Sequence, residues 1–274
     1  MPDSDAVIRT ENLSKTYDTG VLAVDGLNLS VHAGEIFGLL GPNGAGKTTT
    51  VGMLTTRVIP TGGSAWIAGI DVVAHPTVAK RVMGVVSQTN TLDRSLTVWE
   101  NLFHHGKYFG MPTHDARNRA DQLLERFRLA DRASADVNTL SGGMAQRLMV
   151  ARSIVHHPSI LFLDEPTVGM DNKEKFSMLE IIKRALKDRT VMVVDHDLRW
   201  LMPFCNYFIV LDNGKIAEQG TGDELLGRRG LFYELYHAEE AKPDSSAQAG
   251  PAGPGPQMAA GAGRPPPGMA GGPA

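Results

Sequence analysis

One stretch constrains what this chain can fold into more than any other, and it consists of Gly41, Pro42, Asn43, Gly44, Ala45, Gly46, Lys47, Thr48 and Thr49. It fits the phosphate-binding loop pattern of Gly, four residues and Gly-Lys-Ser/Thr. The apolar run 36–40 before it predicts a buried strand, and residues 49–54 after it predict a helix. Glycines let the backbone approach phosphate oxygens, and the loop N–H groups carry partial positive charge. We therefore expect Lys47 to reach the β- and γ-phosphates of a nucleotide and the Thr48 hydroxyl to bind Mg²⁺.

Composition sets wider limits on the class of protein. The 274 residues carry a net charge of -3, which indicates no strong attraction to nucleic acid. The single cysteine, Cys205, excludes an internal disulfide and is predicted to be a small core residue. No apolar run approaches the roughly 20 residues of a membrane helix, and residues 1–5 lack the start of a signal peptide. We expect a cytosolic protein, or one held at a membrane by a partner.

A small antiparallel sheet is predicted around the loop. Residues 7–13 and 26–32 read as two of its strands, and residues 64–69 read as a third. Tyr17 lies between the first two strands. Its ring either stacks on adenine, a contact worth about 1–3 kcal/mol, or packs on the sheet, and the spacing leaves both open.

Two acids follow another buried strand. The run 159–163 is apolar and ends in Asp164 and Glu165. After a phosphate-binding loop, the first acid stands where such enzymes hold Mg²⁺, and the second can position and polarise a water molecule.

Two further strands are predicted to end in polar side chains. The apolar run 81–87 ends at Gln88, and the run 190–194 is followed shortly by His196. At the carboxyl end of a parallel strand such residues point toward the ligand crevice. For Gln88 a solvated loop position stays open as the alternative.

Residues 97–157 predict an inserted helical subdomain. Thr97 and Glu100 fit a capping box, and residues 114–127 are amphipathic. The histidine pairs 104–105 and 156–157 are expected at the surface, because neighbouring helical residues point in different directions and no Cys or carboxylate completes a metal site.

A second glycine-rich helix start closes this insertion. Ser141, Gly142 and Gly143 precede a helical pattern. They form either a second phosphate cradle or an ordinary helix cap.

The chain after the core strands divides in two. Residues 207–218 predict a β-hairpin around Asn213 and Gly214, and residues 231–237 predict a closing helix. From residue 241 the composition is rich in Pro, Gly and Ala, which predicts disorder. The expected domains are 6–240 and a tail at 241–274.

Taken together and in this order, the motifs resemble the ATP-binding subunit of an ABC transporter across about residues 6–237. The variant Ser-Gly-Gly-Met at 141–144, with 54–56 and 60–63, resembles the daunorubicin-resistance branch of exporter ATPases. The resemblance implies an α/β fold with a P-loop NTPase core, a mainly parallel sheet, an antiparallel β subdomain and an inserted helical subdomain. It also implies ATP hydrolysis with ATP and Mg²⁺.

The resemblance further implies a role for each motif residue. Tyr17 stacks on adenine, residues 41–49 hold phosphates, and Thr48, Gln88 and Asp164 support Mg²⁺. The catalytic residues are Glu165 as general base, His196 at the γ-phosphate, Lys47 and Gln88. Ser141, Gly142 and Gly143 bind the γ-phosphate that the partner subunit holds, and Asp171 crosses the dimer interface.

Two positions depart from the family pattern. Met144 stands where the family usually has a glutamine, so the side-chain amide of that glutamine is lost. Gly-Met-Asp-Asn at 169–172 stands where the family usually has Gly-Leu-Asp-Pro, and the aspartate is kept.

The implied assembly is an ATP-dependent homodimer on a separate integral-membrane permease, at the cytoplasmic side of the cell membrane and without nucleic acid. It would export a drug, antibiotic or lipid-like compound. An importer ATPase and a non-transport ABC ATPase in cofactor assembly are the alternatives.

Overall fold

The computed structural model describes residues 6–167, 170, 172–186 and 189–240. The strands are β1 (Ala6–Thr16), β2 (Leu22–His32), β3 (Ile36–Leu40), β4 (Gly62–Ile67), β5 (Ile70–Asp71), β6 (Met83–Val86), β7 (Ile160–Asp164), β8 (Thr190–Val194), β9 (Tyr207–Asp212) and β10 (Lys215–Gly220). The helices are α1 (Lys47–Leu54), α2 (Pro76–Val82), α3 (Val98–Tyr108), α4 (Thr113–Arg126), α5 (Gly142–Ser153), α6 (Asn172–Ala185), α7 (Leu198–Leu201), α8 (Gly222–Arg228) and α9 (Leu231–Glu240).

A six-stranded sheet carries the core in the order β10-β9-β3-β8-β7-β6. The pairs from β9 to β6 are parallel, and β10 joins β9 antiparallel. Alternate residues of β7 enter different hydrophobic clusters: Leu161 and Leu163 pack on one side, and Ile160 and Phe162 pack on the other. Both faces are therefore covered, which is why these strands read as continuous apolar runs.

The second sheet is antiparallel and has the order β2-β1-β4-β5. It covers one face of the larger sheet, since Ile8, Leu29 and Ile67 share a cluster with Phe162. The α/β fold with an antiparallel β subdomain is confirmed.

Helices α3, α4 and α5 fill the predicted helical segment. Thr97 accepts a hydrogen bond from the backbone N–H of Glu100 at 3.2 Å, and the Glu100 carboxylate accepts one from the backbone N–H of Thr97 at 2.8 Å. This confirms the capping box, a feature typically worth about 1 kcal/mol. The division into domains at 240 and 241 stays a prediction, because residues 241–274 lie outside the described residues.

The expectation that all four paired histidines lie at the surface holds only in part, because His105 and His156 are half-buried. Their ring centroids are 5.9 Å apart, and His156 stacks on Phe109 at 3.7 Å. Burial lowers the pKa of His105 to about 3 and that of His156 to about 4, so both are neutral at pH 7. Packing between α3 and the segment after α5 brings the two rings together.

A smaller correction concerns the strand predicted at 81–87. Arg81 and Val82 end helix α2, which Pro76 begins, and β6 starts only at Met83.

The hairpin at Asn213 and Gly214 is confirmed, because both residues have positive φ (47° and 77°), as the favoured primed turns require. Cys205 is buried, as expected, and burial raises the pKa of its thiol.

Candidate nucleotide site

The candidate site lies at the carboxyl ends of four neighbouring strands. Strand β3 leads into the loop 41–49, β6 leads to Gln88, β7 ends at Asp164, and β8 is followed by Asp195 and His196. Since β3, β8, β7 and β6 are consecutive and parallel, these segments meet at one edge of the sheet. They line one cavity of about 790 Å³. The prediction that Gln88 and His196 face the ligand crevice agrees with this placement.

All nine residues of the loop 41–49 line the cavity. At two positions of the loop, the backbone conformation and the close neighbours leave room only for glycine. Gly46 has φ of 99°, and a Cβ there would lie 2.4 Å from the Ala23 carbonyl oxygen. Gly41 has φ of 140°, and its Cβ would lie 2.1 Å from the Leu211 carbonyl oxygen. A side chain at either position would push the loop away from its neighbours, so glycine sets the shape of the cradle.

The Lys47 ammonium lies inside this cradle. Its Nζ donates to the carbonyl oxygens of Gly41 at 2.6 Å and Pro42 at 2.9 Å. Burial lowers the pKa of Lys47, while the negative charges of Glu165 and Asp164 oppose that change. A cation is thus held at the loop where phosphate oxygens would approach the backbone N–H groups.

Glu165 is held in an unusual backbone conformation. Its φ is 47°, in the left-handed region, which costs about 1–3 kcal/mol for a residue with a side chain. Its backbone N–H donates to the Val194 carbonyl at 2.8 Å, and the Gln88 amide donates to its carboxylate at 2.7 Å. Two neighbouring strands therefore fix the direction of this carboxylate, which suits a group that must position a water molecule.

Asp164, Glu165 and Asp195 form an acidic group at the sheet edge. Burial raises the pKa of Asp164, as do the charges of Glu165 and Asp195, while the Arg57 and Lys47 cations oppose the change. Such a group favours a cation nearby.

The residues at this edge fit Mg²⁺. A nucleotide-bound Mg²⁺ takes oxygen ligands, most of them from phosphates and water, and needs only one or two from protein. Thr48 and Asp164 supply a hydroxyl and a carboxylate within the same cavity. Among the described residues no group of three or more His, Cys, Asp or Glu side chains is arranged to hold a metal. The donor set therefore suits an ion shared with a nucleotide.

The cavity has an apolar end near the loop between β1 and β2. Val21 and Leu22 line it and are 58% and 51% exposed. Tyr17 is not among the lining residues; its hydroxyl lies 3.2 Å from the Thr49 hydroxyl, and the Lys15 ammonium lies 5.3 Å from its ring centroid. Sequence reasoning missed Val21 and Leu22, whose only signal is that they begin the apolar run 21–24 at the start of β2.

The second glycine-rich segment lies elsewhere. None of Ser141, Gly142 and Gly143 is among the residues that line the cavity. Ser141 caps α5, where its hydroxyl oxygen accepts the backbone N–H of Met144 at 3.3 Å, and it is exposed together with Gly142. The hydroxyl hydrogen stays available to donate. The predicted loop acid Asp171 lies outside the described residues.

The fold and this site define a P-loop nucleotide-binding protein of the α/β class. The family model described as ABC transporter matches residues 24–168. The Nod factor export ATP-binding protein I of Ralstonia nicotianae is 41% identical over 81% of this chain and 70% of its own length. The daunorubicin/doxorubicin resistance ATP-binding protein DrrA of Streptomyces peucetius is 41% identical over 85% of this chain and 71% of its own. A dimeric ATP-binding cassette solved in a post-hydrolysis state with ADP and Pi matches with a TM-score of 0.71 and 28% identity, over 78% of this chain and 98% of that one.

The chain belongs to the ABC transporter family, as an ATP-binding subunit of the exporter type. It is an ATPase. Subunits of this kind serve transporters that have separate membrane components. No helix in the described part of the chain is long and apolar enough to cross a membrane.

Proposed function

We propose that two copies of this chain bind two ATP molecules between them and use their hydrolysis to drive a separate integral-membrane permease. The observation that carries this proposal is the contrast between a built nucleotide cavity and a second glycine-rich helix start that lies outside it. A homodimer brings the second segment of one copy to the cavity of the other. Association then depends on ATP, because the γ-phosphate is the group that both copies contact.

Each residue of the cavity has a part in hydrolysis. The loop 41–49 and Lys47 hold the phosphates, and Thr48 and Asp164 hold Mg²⁺, with Gln88 beside it. When bound, the ion neutralises charge on the β- and γ-phosphate oxygens. Glu165 accepts a proton from the attacking water, and the Gln88 amide keeps its carboxylate in position.

The remaining site residues complete the nucleotide contacts. His196 contacts the γ-phosphate. Tyr17, next to Val21 and Leu22, stacks on adenine. Ser141, Gly142 and Gly143 of the partner copy donate hydrogen bonds to the γ-phosphate. Bonds to a charged phosphate are stronger than neutral ones, so each ATP joins the two subunits.

A groove beside the site is the surface we assign to the permease. It has a volume of about 410 Å³ and lies between the parallel sheet and the helical segment. The Tyr108 ring in its wall is 85% exposed, and Lys80, Arg81 and Arg152 make it basic. Its floor includes Met83, Gly84 and Val85 of β6, the strand that leads to Gln88. We propose that a short permease helix with apolar and acidic side chains binds in this groove. Its binding would shift β6 and thereby affect Gln88.

The transported compound would be a drug, antibiotic or lipid-like molecule, since related subunits are named for daunorubicin resistance and Nod factor export. The complex would lie at the cytoplasmic side of the cell membrane. Nucleic-acid binding is not expected, because the net charge of the chain is -3. Import is the alternative, but the curated relatives named for a direction are export proteins.

Transport into inside-out vesicles tests this function. The vesicles carry a candidate permease, chosen as a multi-span membrane protein from the neighbouring genes, and doxorubicin is the probe. We expect ATP-dependent uptake with the native chain, none with Glu165→Gln, and a large loss with Arg81→Glu. Arg117→Glu, an exposed charge reversal on α4 outside the groove, is the matched control. If the native chain hydrolyses ATP and binds these vesicles without moving any probe in either direction, the export proposal is wrong.

A further inference from the structure

A buried acid stands directly before His196. Asp195 is 3% exposed and lines the nucleotide cavity. A buried carboxylate is unfavourable unless hydrogen bonds compensate for the lost water. Its bonding partners therefore indicate what the residue does.

The Asp195 carboxylate joins two segments of the site. One oxygen accepts the backbone N–H groups of His196 at 2.7 Å and Asp197 at 3.0 Å. The other accepts the Thr167 hydroxyl at 3.1 Å. Thr167 comes two residues after Glu165, so the carboxylate connects the loop that carries His196 to the segment that carries Glu165.

The same carboxylate faces the imidazole. The Nδ1 atom of His196 lies 3.4 Å from the nearer oxygen of Asp195 and 3.9 Å from the Glu165 carboxylate. Facing acids hold an imidazole through Nδ1 and leave Nε2 for the substrate. The ring itself is 65% exposed, so packing alone does not hold it.

We propose that Asp195 is a positioning residue for ATP hydrolysis, which holds the His196 ring and the Glu165 segment in one arrangement at the cavity. This inference rests on the proposed contact between His196 and the γ-phosphate. Asp195 touches no phosphate in this scheme and acts through its two neighbours.

The acid on the other side of His196 has a different task and gives a matched control. Asp197 caps α7, where it accepts the backbone N–H of Arg199 at 3.3 Å, and it pairs with the Lys175 ammonium at 2.9 Å. These contacts anchor a helix. Asp195 instead accepts hydrogen bonds from the backbone N–H groups of His196 and Asp197 and from the Thr167 hydroxyl.

A double-mutant cycle tests the proposal on the full chain. Asp195→Ala should lower kcat roughly ten- to a hundredfold, with KM for ATP within about twofold of the native value, because binding is kept and orientation is lost. Asp195→Asn keeps the shape and one acceptor oxygen and should restore most of kcat. In a His196→Gln background, Asp195→Ala should add less than about threefold, whereas Asp197→Ala should lower the thermal midpoint and multiply with His196→Gln.

A spectrum of the nucleotide-free chain gives a readout apart from turnover. In ¹⁵N-histidine-labelled protein, the ring signals assigned to His196 through His196→Gln should move in Asp195→Ala and stay in Asp197→Asn. Unmoved signals, or an Asp195→Ala effect that multiplies fully with His196→Gln, would overturn the positioning role. If His196→Gln alone keeps native turnover, the proposed γ-phosphate contact fails first, and the inference fails with it.

Discussion

The two glycine-rich segments of this chain both lead into a helix, but they differ in structure. At 41–49 every residue lines the cavity, and Gly46 has a φ that suits glycine alone. At 141–143 a helix starts with Ser141 and Gly142 exposed, and a Cβ on Gly142 would meet no atom within 4 Å. Gly143 is buried, and a Cβ there would lie 3.0 Å from the Glu174 carboxylate. The first segment is shaped by its own chain, whereas the second is open at Gly142. The difference supports the proposal that the second segment serves the nucleotide cavity of another copy.

The largest expected effect comes from the catalytic side of the first region. Glu165→Gln should keep ATP binding and lower turnover about 10²–10⁴-fold, because an amide cannot accept the proton of water. Steady-state hydrolysis by the purified variant measures it. Glu125→Gln, on the exposed face of α4, is the control and should match the native rate. Near-native turnover of Glu165→Gln would show that Glu165 is not the general base.

A pair of alanine substitutions compares the two segments directly. Gly46→Ala should lower both the thermal midpoint and nucleotide affinity, since strain of about 1–3 kcal/mol and a clash with the Ala23 carbonyl distort the loop. Gly142→Ala should leave both quantities unchanged in the monomer. Calorimetric unfolding and titration with ADP give the two values. If both variants had the same thermal midpoint and the same affinity for ADP, the proposed difference between the two segments would be wrong.

Tyr17 sharpens the description of the first region. Tyr17→Ala should weaken ATP binding roughly 5- to 150-fold if the ring stacks on adenine, and Tyr17→Phe should lose only the bond to Thr49. Fluorescence titration with ATP measures both affinities. An unchanged affinity in Tyr17→Ala would favour the alternative, in which the ring packs on the sheet.

The smallest effect is expected outside both regions. Removing residues 241–274 should leave the thermal midpoint and ATP affinity unchanged, because the composition of this segment offers little apolar surface to bury. A clear drop in either quantity would show that the segment docks on the core.

Much of the fold could be predicted from sequence because apolar runs end abruptly in polar residues. The strand before Asp164 and the hairpin at Asn213 follow from such local signals. The end of α2 did not, since Arg81 and Val82 suit a strand as well as a helix. The partial burial of His105 and His156 was also missed, because it depends on packing between segments about 50 residues apart.

The candidate site divides in the same way. Motif residues such as Lys47 and Glu165 are predicted by local spacing, and the structure brings them to one cavity. The sequence places Asp195 beside His196 at the polar end of a strand, but it gives no sign of the partners of Asp195. Its bond to Thr167 joins positions 28 residues apart and exists only in the folded chain. Contacts of this kind decide which polar residues hold the motif residues in place.

The central claim is that ATP joins two copies of this chain through the two segments. Sedimentation of Glu165→Gln tests it most directly, because the variant keeps bound ATP intact. We expect a monomer without nucleotide or with ADP and a dimer with ATP, and we expect Ser141→Arg added to Glu165→Gln to abolish the dimer while ATP binding through Lys47 is kept. The same mass with ATP and with ADP would contradict the account.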